Sequence, residues 1–286
     1  MHMGEDAQRE ACQIIGLELL DRFSSICDRH GIEYYLDAGT LLGAFRYGGW
    51  IPWDDDVDVL MHRHEYERFR ALASRELPGS MRLYDPVNDK CHVTLVPRVN
   101  YLPSSLYWEE NWGIVPPERQ RVVLDVYLLD RSPESRLAKL FWLWATRVLQ
   151  GLSVMRGTHP LRIWASTPRL VSRLAGLTGW VFAGLCPPGL SKRMYVRIAT
   201  AFRNSDSTDY HALNHSRAMR DKPLNGAWFG DERLAFCGSE RPVPSPEPYL
   251  QALYGPGFVH EPPPSQRRGH HYERFQAQFG DRVWRA

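Results

Sequence analysis

Between positions 6 and 30, Ala11, Ile14, Ile15, Leu17, Leu19, Leu20, Phe23 and Ile26 recur at helical spacing and Gly31 follows as a stop. That pattern predicts an amphipathic helix. Residues 32–36 are β-branched and aromatic and predict a short strand that runs into the turn Asp37-Ala38-Gly39-Thr40. A short helix over 41–46 is expected next, its first backbone N–H groups near Gly39 and Thr40 free to meet an anion. Gly48-Gly49 and Pro52 then break the chain ahead of an acidic strand over 56–61, and 64–76 resumes helical periodicity through Tyr66, Phe69 and Leu72. Two more strands are expected over 91–99 and 122–129, separated by an irregular stretch that holds Trp108 and Trp112. Four strands with flanking helices predict a mixed α/β sheet.

Residues 131–202 are mostly helical in pattern, and everything after Asn204 reads as loop-rich, with prolines crowded between 242 and 271. Tyr249, Leu250, Leu253, Tyr254 and Phe258 make this last part too apolar to stay extended in water, so it is expected to fold back on the core. The expected organisation is a catalytic core over 1–130, a mainly helical region over 131–210, and a loop-rich segment over 211–286.

Composition narrows the classes. A chain of 286 residues with 43% hydrophobic content can bury a large core, which excludes disorder and fibres. A net charge of +2 without a Lys/Arg run argues against nucleic acid as partner. Five cysteines with no C-x-x-C spacing read as reduced thiols, and the N-terminal residues lack the basic start and apolar core of a signal peptide, so a cytoplasmic location is expected. The most apolar stretches, 137–154 and 170–186, are interrupted by Lys139, Arg147 and Arg173. Buried or half-buried helices are expected there, with peripheral membrane contact as the alternative.

The chemistry concentrates in 35–61. In Asp56-Val57-Asp58-Val59, alternate side chains of a strand project to one face, so Asp56 and Asp58 point together while the valines enter the core. Their Cα atoms would lie roughly 6.6 Å apart, close enough to share one divalent cation or to divide a pair of ions. Asp125 sits between Leu124 and Val126 in an apolar strand, where a carboxylate needs a cation or a donor. It is the candidate third acid, the alternative being an ion pair with an arginine such as Arg98. An EF-hand reading of Asp54, Asp56, Asp58 and Glu65 fails because Val59 stands where that loop needs glycine. A D-x-D glycosyltransferase competes, although only one strand precedes the motif.

GTLLGAFRYGG at 39–49, IPWDDDVDV at 51–59, YLQALYGPGF at 249–258, the three prolines after it and His270-His271 resemble the LicD family. This family lies in the nucleotidyltransferase-fold superfamily that includes fukutin-like proteins. The resemblance implies a nucleotidyltransferase-like mixed sheet with flanking helices, a helical insertion and a loop-rich C-terminal segment. It further implies transfer of a phosphoalcohol, such as phosphocholine or ribitol phosphate, from a CDP-alcohol to a hydroxyl of a glycan or polymer. By the same token Asp56, Asp58 and Asp125 would be catalytic and hold Mg²⁺ or Mn²⁺, Asp125 doubling as a base, and Gly39 and Thr40 would contact phosphate. Arg46 and Arg98 are further phosphate candidates, each balanced by a structural alternative: an exposed helix position for Arg46, a carboxylate partner for Arg98. Asp54 and Asp55 read as turn-forming or supporting groups, and His62 and His64 as surface residues. Competing functions are transfer of NMP from an NTP and a catalytically silent module that binds nucleotide or glycan.

Overall fold

The computed structural model describes residues 4–85, 89, 94–108, 120–158, 170–187, 189–215, 217–267, 269–270 and 272–285. Helix α1 (Glu5–His30) buries Ala11, Cys12, Ile15, Leu19, Leu20 and Phe23 along one stripe and ends on Gly31 in the left-handed conformation, φ 55°. A residue without Cβ adopts that cap at no steric cost. Phe23 wedges between Tyr34 and Phe69, with ring centroids 5.2 and 4.7 Å away, which locks α1 to the elements that follow.

Those elements are β1 (Tyr35–Leu36), α2 (Ala38–Tyr47), β2 (Val57–His62), α3 (Arg63–Glu76), β3 (Met81–Tyr84), β4 (Arg98–Tyr101), β5 (Ser104–Tyr107) and β6 (Val123–Arg131). The main sheet runs β1-β2-β6-β4-β3, with β7 (Asp209–Ala212) and β8 (Leu224–Asn225) continuing from β6. Strands β2 and β6 are parallel and central; β4 pairs antiparallel with the first part of β6 and β7 with its last. Val57, Val59, Leu124 and Val126 are fully buried on one face of the central pair. The sheet is therefore mixed, as the alternation of helical and strand patterns predicts.

Helices α4 (Arg136–Gly157), α5 (Leu170–Leu185) and α6 (Leu190–Ala199) form a second, smaller packing unit. Its centre is Trp142 with Leu95, Tyr195, Ala199 and Leu213. Trp142 Nε1 donates to the Ile198 carbonyl at 2.9 Å, so the largest ring in this cluster also satisfies its one donor. Beyond the short α7 (Arg217–Arg220) come the hairpin β9–β10 (Arg233–Phe236, Ser239–Pro242) and α8 (Pro246–Tyr254). The hairpin β11–β12 (Arg274–Phe279, Arg282–Arg285) follows, and its β11 adds to β5 as an antiparallel neighbour.

Several boundaries differ from the pattern-based expectation. The strand expected over 91–99 falls partly on residues outside those described, and only its end, Arg98 and Val99, belongs to β4. Residues 94–96 bend instead, because Pro97 carries no N–H for a ladder. The acidic strand begins at Val57, so Asp56 stands one residue ahead of it. The C-terminal segment holds two hairpins where loops were expected. In β11 the alternation of Phe275 and Ala277 with Arg274, Gln276 and Gln278 is a clear period of two.

The loop between α2 and β2 is set by one close approach. A Cβ on Gly43 would come within 2.4 Å of the Gly49 carbonyl oxygen and 3.1 Å of the Ile51 nitrogen, both backbone atoms that cannot swing away. Gly43→Ala is expected to cost about 1–3 kcal/mol of unfolding free energy by overpacking. Gly79→Ala, where a Cβ meets nothing within 4 Å, serves as control and is expected to change stability by under about 0.5 kcal/mol. Urea unfolding of the two variants side by side measures the difference; equal stabilities would show that the α2–loop contact is slack.

Candidate active site

The parallel register of β2 and β6 sets Asp58 directly opposite Asp125, and the antiparallel register of β6 and β4 sets Asp125 opposite Arg98. Residues paired across neighbouring strands share a face, so the three side chains form a row across the sheet on the side away from the buried valines. Asp56 precedes Asp58 by two residues. Arg98 meets Asp125 through two bonds, Nε to Oδ1 at 2.6 Å and Nη2 to Oδ2 at 3.0 Å. This is the bidentate geometry of the stronger arginine–carboxylate pairs.

The first turn of α2 is stitched to β2. The Asp37 backbone N–H donates to the Asp58 carbonyl at 3.0 Å, and the Asp58 N–H donates to Thr40 Oγ1 at 2.9 Å. Both peptide groups of Asp58 are therefore held by the helix start. Asp37 is the N-cap, a favoured position for aspartate: its Oδ1 accepts from the Ala38 N–H at 2.7 Å and from the Tyr249 hydroxyl at 2.6 Å. Ala38 takes a left-handed φ of 44°, a strained conformation for a residue with a Cβ. Gly39 is required for a different reason: a Cβ there would lie 2.5 Å from Asp54 Oδ2, so glycine lets that carboxylate reach the helix N-terminus.

These acids raise one another's pKa values. Asp54 is pushed up to about 8, first by burial and then by the charge and hydrogen bond of Asp56. Asp58 is driven well above the ordinary carboxylate range by burial, with Asp56, Asp125, Asp37 and Asp54 all acting in the same direction. Asp56 is also raised by burial, an effect that the nearby His270 partly offsets. Carboxylates gathered out of water in this way resist ionising together unless a cation joins them.

A second set of contacts closes over the acidic loop. Asp55 is buried, accepts from the Tyr272 hydroxyl at 2.8 Å and pairs with His270 Nδ1 at 2.7 Å. His270 packs edge-on against Trp108, Arg267 lies 5.0 Å over the Trp53 ring, and Gly269 lies so close that a Cβ would come within 2.6 Å of the Trp53 carbonyl oxygen. On the other side His215 stacks on Tyr127 at 3.9 Å and stands 3.6 Å from Asp37 Oδ2.

Of the residues singled out in the sequence, Gly39, Thr40, Asp56, Asp58, Asp125 and Arg98 are thus brought together. Arg46 is not: it leaves the acidic face and donates to the Phe258 and His260 carbonyls, fastening α2 to the C-terminal segment. The expectation of a phosphate contact by Arg46 gives way to this structural role. The three-aspartate cage is also corrected in detail, because Asp125 is taken up by Arg98, the pairing that the sequence left open. Among the described residues, no three acidic, histidine or cysteine side chains converge closely enough to enclose an ion by themselves. His62 and His64 stack on each other at the far end of β2, away from the acids. His271 lies outside the described residues.

Sequence reasoning did not assign roles to Asp37, Tyr127, His215, Tyr249 or Tyr272. Asp37 carried a usable signal, an aspartate just before a Gly-Thr helix start. The others sit far away in sequence and are joined to the site only by the fold.

Comparison with known proteins places this geometry. Residues 31–99 match the family model described as LicD/FKTN/FKRP, nucleotidyltransferase domain, which spans α2, β2 and the start of β4. Over that stretch the chain is similar to a LicD-type nucleotidyltransferase domain. It is similar to the lipopolysaccharide cholinephosphotransferase LicD of Haemophilus influenzae, 56% identical over 57 residues, which are 20% of this chain and 22% of that protein. It is 33% identical over 96 residues to an uncharacterized protein of Rickettsia prowazekii, covering 31% and 36% of the two chains. Human ribitol 5-phosphate transferase FKRP is 30% identical over 91 residues, 32% of this chain and 18% of that protein. The aligned parts therefore span only about a fifth to a third of each relative. Asp125, Tyr249 and His270 lie outside the LicD-type match, and the fold supplies them to it.

Hydrogen bonding to Asp55 raises His270 to about 9, against burial. A histidine raised in the folded state adds stability that is complete below about pH 6.5 and is lost as pH climbs through the folded value. The stability difference between wild type and His270→Gln, measured with EDTA present, is expected to be largest near pH 6 and to shrink towards zero above pH 9. A difference that stays flat from pH 6 to 10 would dismiss the ion pair as the clasp on the acidic loop.

Proposed function

We propose that this chain is a divalent-metal-dependent transferase that moves a phosphoalcohol from a CDP-linked alcohol to a hydroxyl of a glycan or similar acceptor. The observation that carries the reading is the row Asp58, Asp125 and Arg98 beside the N-terminus of α2, with Asp56 two residues ahead of Asp58. The names of the relatives, a cholinephosphotransferase and a ribitol 5-phosphate transferase, support the class of group transferred.

Asp56 and Asp58 are oxygen donors of the type that suits a hard cation, with the donor's phosphates to complete its shell. Asp58 is raised by burial and then by four neighbouring acids, and hard oxygen ligands of this kind suit Mg²⁺ or Mn²⁺. Asp56 and Asp58 would hold the ion, and once bound it would supply charge neutralisation for the donor's diphosphate. The first-turn N–H groups of α2 at Gly39 and Thr40 offer an anion site on the same side as the helix dipole. Arg98 is the cationic side chain in the row, and its guanidinium suits phosphate oxygens as well as a carboxylate. In this reading Arg98 turns from Asp125 to the donor's phosphates, which frees the Asp125 carboxylate to take the proton of the attacking hydroxyl. That hydroxyl attacks the phosphorus bearing the alcohol, the bond to the CMP oxygen breaks, and CMP leaves.

Asp56→Asn and Asp58→Asn change charge at nearly constant shape, so each is expected to lower turnover by at least about 1000-fold with a melting temperature in EDTA that is no lower than wild type. The assay incubates the protein with Mg²⁺ and either CDP-choline, CDP-ribitol or CTP. CMP release from a CDP-alcohol is the expected result. Pyrophosphate release from CTP would instead make the protein a nucleotidyltransferase, and near wild-type turnover by either variant would remove the assigned ligands.

A further inference from the structure

We propose that helices α4 and α5 present an apolar surface, accompanied by exposed arginines of α4 and α6, that docks the protein on an anionic lipid bilayer, lying on the membrane without crossing it. The inference stands independently of the phosphotransfer reading. On α4, Leu137, Leu140, Phe141, Trp144 and Val148 follow the i, i+3, i+4, i+7, i+11 progression of one helix face. All five are exposed, Leu137 by 79%, Phe141 by 64% and Trp144 by 60%. The opposite face, with Trp142, Ala145 and Thr146, is the one buried in the core. Helix α5 repeats the arrangement with Leu174, Val181, Phe182 and Leu185 exposed.

The two helices are fastened together. Arg156 donates to the Ala183 and Gly184 carbonyls at 3.0 and 3.3 Å, and Trp180 Nε1 donates to the Thr158 carbonyl at 3.1 Å. Neighbouring apolar stripes on a fixed pair of helices exceed the single exposed side chains that an ordinary surface carries.

Charge identifies the occupant. Between Glu134 and Asp206 the chain has eleven Lys/Arg and no acid, while all its other residues together hold 24 Lys/Arg against 33 Asp/Glu. Arg136 on α4, Arg193 and Arg197 on α6 and Arg203 just beyond it are exposed, while Lys139 and Arg147 of α4 are paired with Asp209 and Asp221. A second copy seated face to face in a two-fold dimer would meet the same excess of positive charge. An anionic bilayer accepts both properties, the apolar side chains entering the headgroup boundary and the cations meeting lipid phosphates. Among the described residues no helix is long and apolar enough to cross a membrane, which fits a surface association.

The test is flotation of the purified chain with defined vesicles. Wild type is expected to float with phosphatidylcholine vesicles containing about one third phosphatidylglycerol, to stay behind with pure phosphatidylcholine, and to release at about 0.5 M NaCl. Phe141→Ser/Trp144→Ser and, separately, Arg136→Glu/Arg193→Glu are expected to reduce the bound fraction at least about tenfold. All four positions are exposed, so the melting temperature should stay unchanged. Absence of wild-type flotation on anionic vesicles overturns the proposal, as do equal flotation on neutral vesicles and undiminished flotation by Phe141→Ser/Trp144→Ser. Light scattering that shows a dimer which this variant converts to monomer would assign the face to a second copy, and overturns it as well.

Discussion

The register between β2 and β6 is the constraint on which the site depends. Asp58 lies opposite Asp125 because Val57 pairs with Leu124 and Val59 with Val126, and all four apolar residues are fully buried. A slip of one position would send the valines to the acidic face and the aspartates into the core, an outcome that apolar burial forbids. Packing on one side of the sheet thus fixes the chemistry on the other. The same pairing carries the antiparallel partner β4, which delivers Arg98 to the end of the row.

Holding acids together costs free energy, and the surroundings show how that cost is contained. Each acid outside the central pair has a dedicated partner: Asp37 caps α2 and accepts from Tyr249, Asp55 takes His270 and Tyr272, and Asp125 takes Arg98. Asp54 shares a hydrogen bond with Asp56 and fits against the bare Cα of Gly39. What remains concentrated is the carboxyl pair Asp56 and Asp58, which resists ionising together because burial and every acidic neighbour of Asp58 push its pKa upward. The strain at Ala38 belongs to the same design, since a left-handed residue after Asp37 lets the helix start while both peptide groups of Asp58 are satisfied.

Much of this was legible in the sequence wherever the signal was local. The long helix ending on Gly31, the Gly-Thr helix start and the alternation Asp56-Val57-Asp58-Val59 follow from periodicity and turn chemistry within a few residues. Asp125 could be picked out because an acid in an apolar strand demands a partner, yet two partners satisfied that demand equally until the register set Arg98 beside it. Arg46 was misplaced for a similar reason. Its acceptors, the carbonyls of Phe258 and His260, lie more than 200 residues onward and leave no trace near position 46. The clasp of His270 and Tyr272 on Asp55 was equally invisible, being made by a segment whose prolines advertise only the absence of long regular elements.

The uneven distribution of charge links the site to the rest of the molecule. A nucleoside diphosphate donor is itself an anion, and a face whose concentrated charge is acidic repels it until a cation is present. On the proposed reading, metal and donor therefore favour each other: the ion relieves the carboxylates, and the diphosphate adds oxygens to the ion. Arg98 sharpens this dependence, because its charge is consumed by Asp125 as long as no competing anion arrives. Eight of the eleven Lys/Arg between Glu134 and Asp206 are on α4, α5 and α6, a packing unit with its own core around Trp142, and do not relieve the cluster either. Acid and base are thus kept on different parts of the fold. A cation drawn to the row then acts on neighbouring carboxylates whose charge no lysine or arginine other than Arg98 is seen to neutralise among the described contacts.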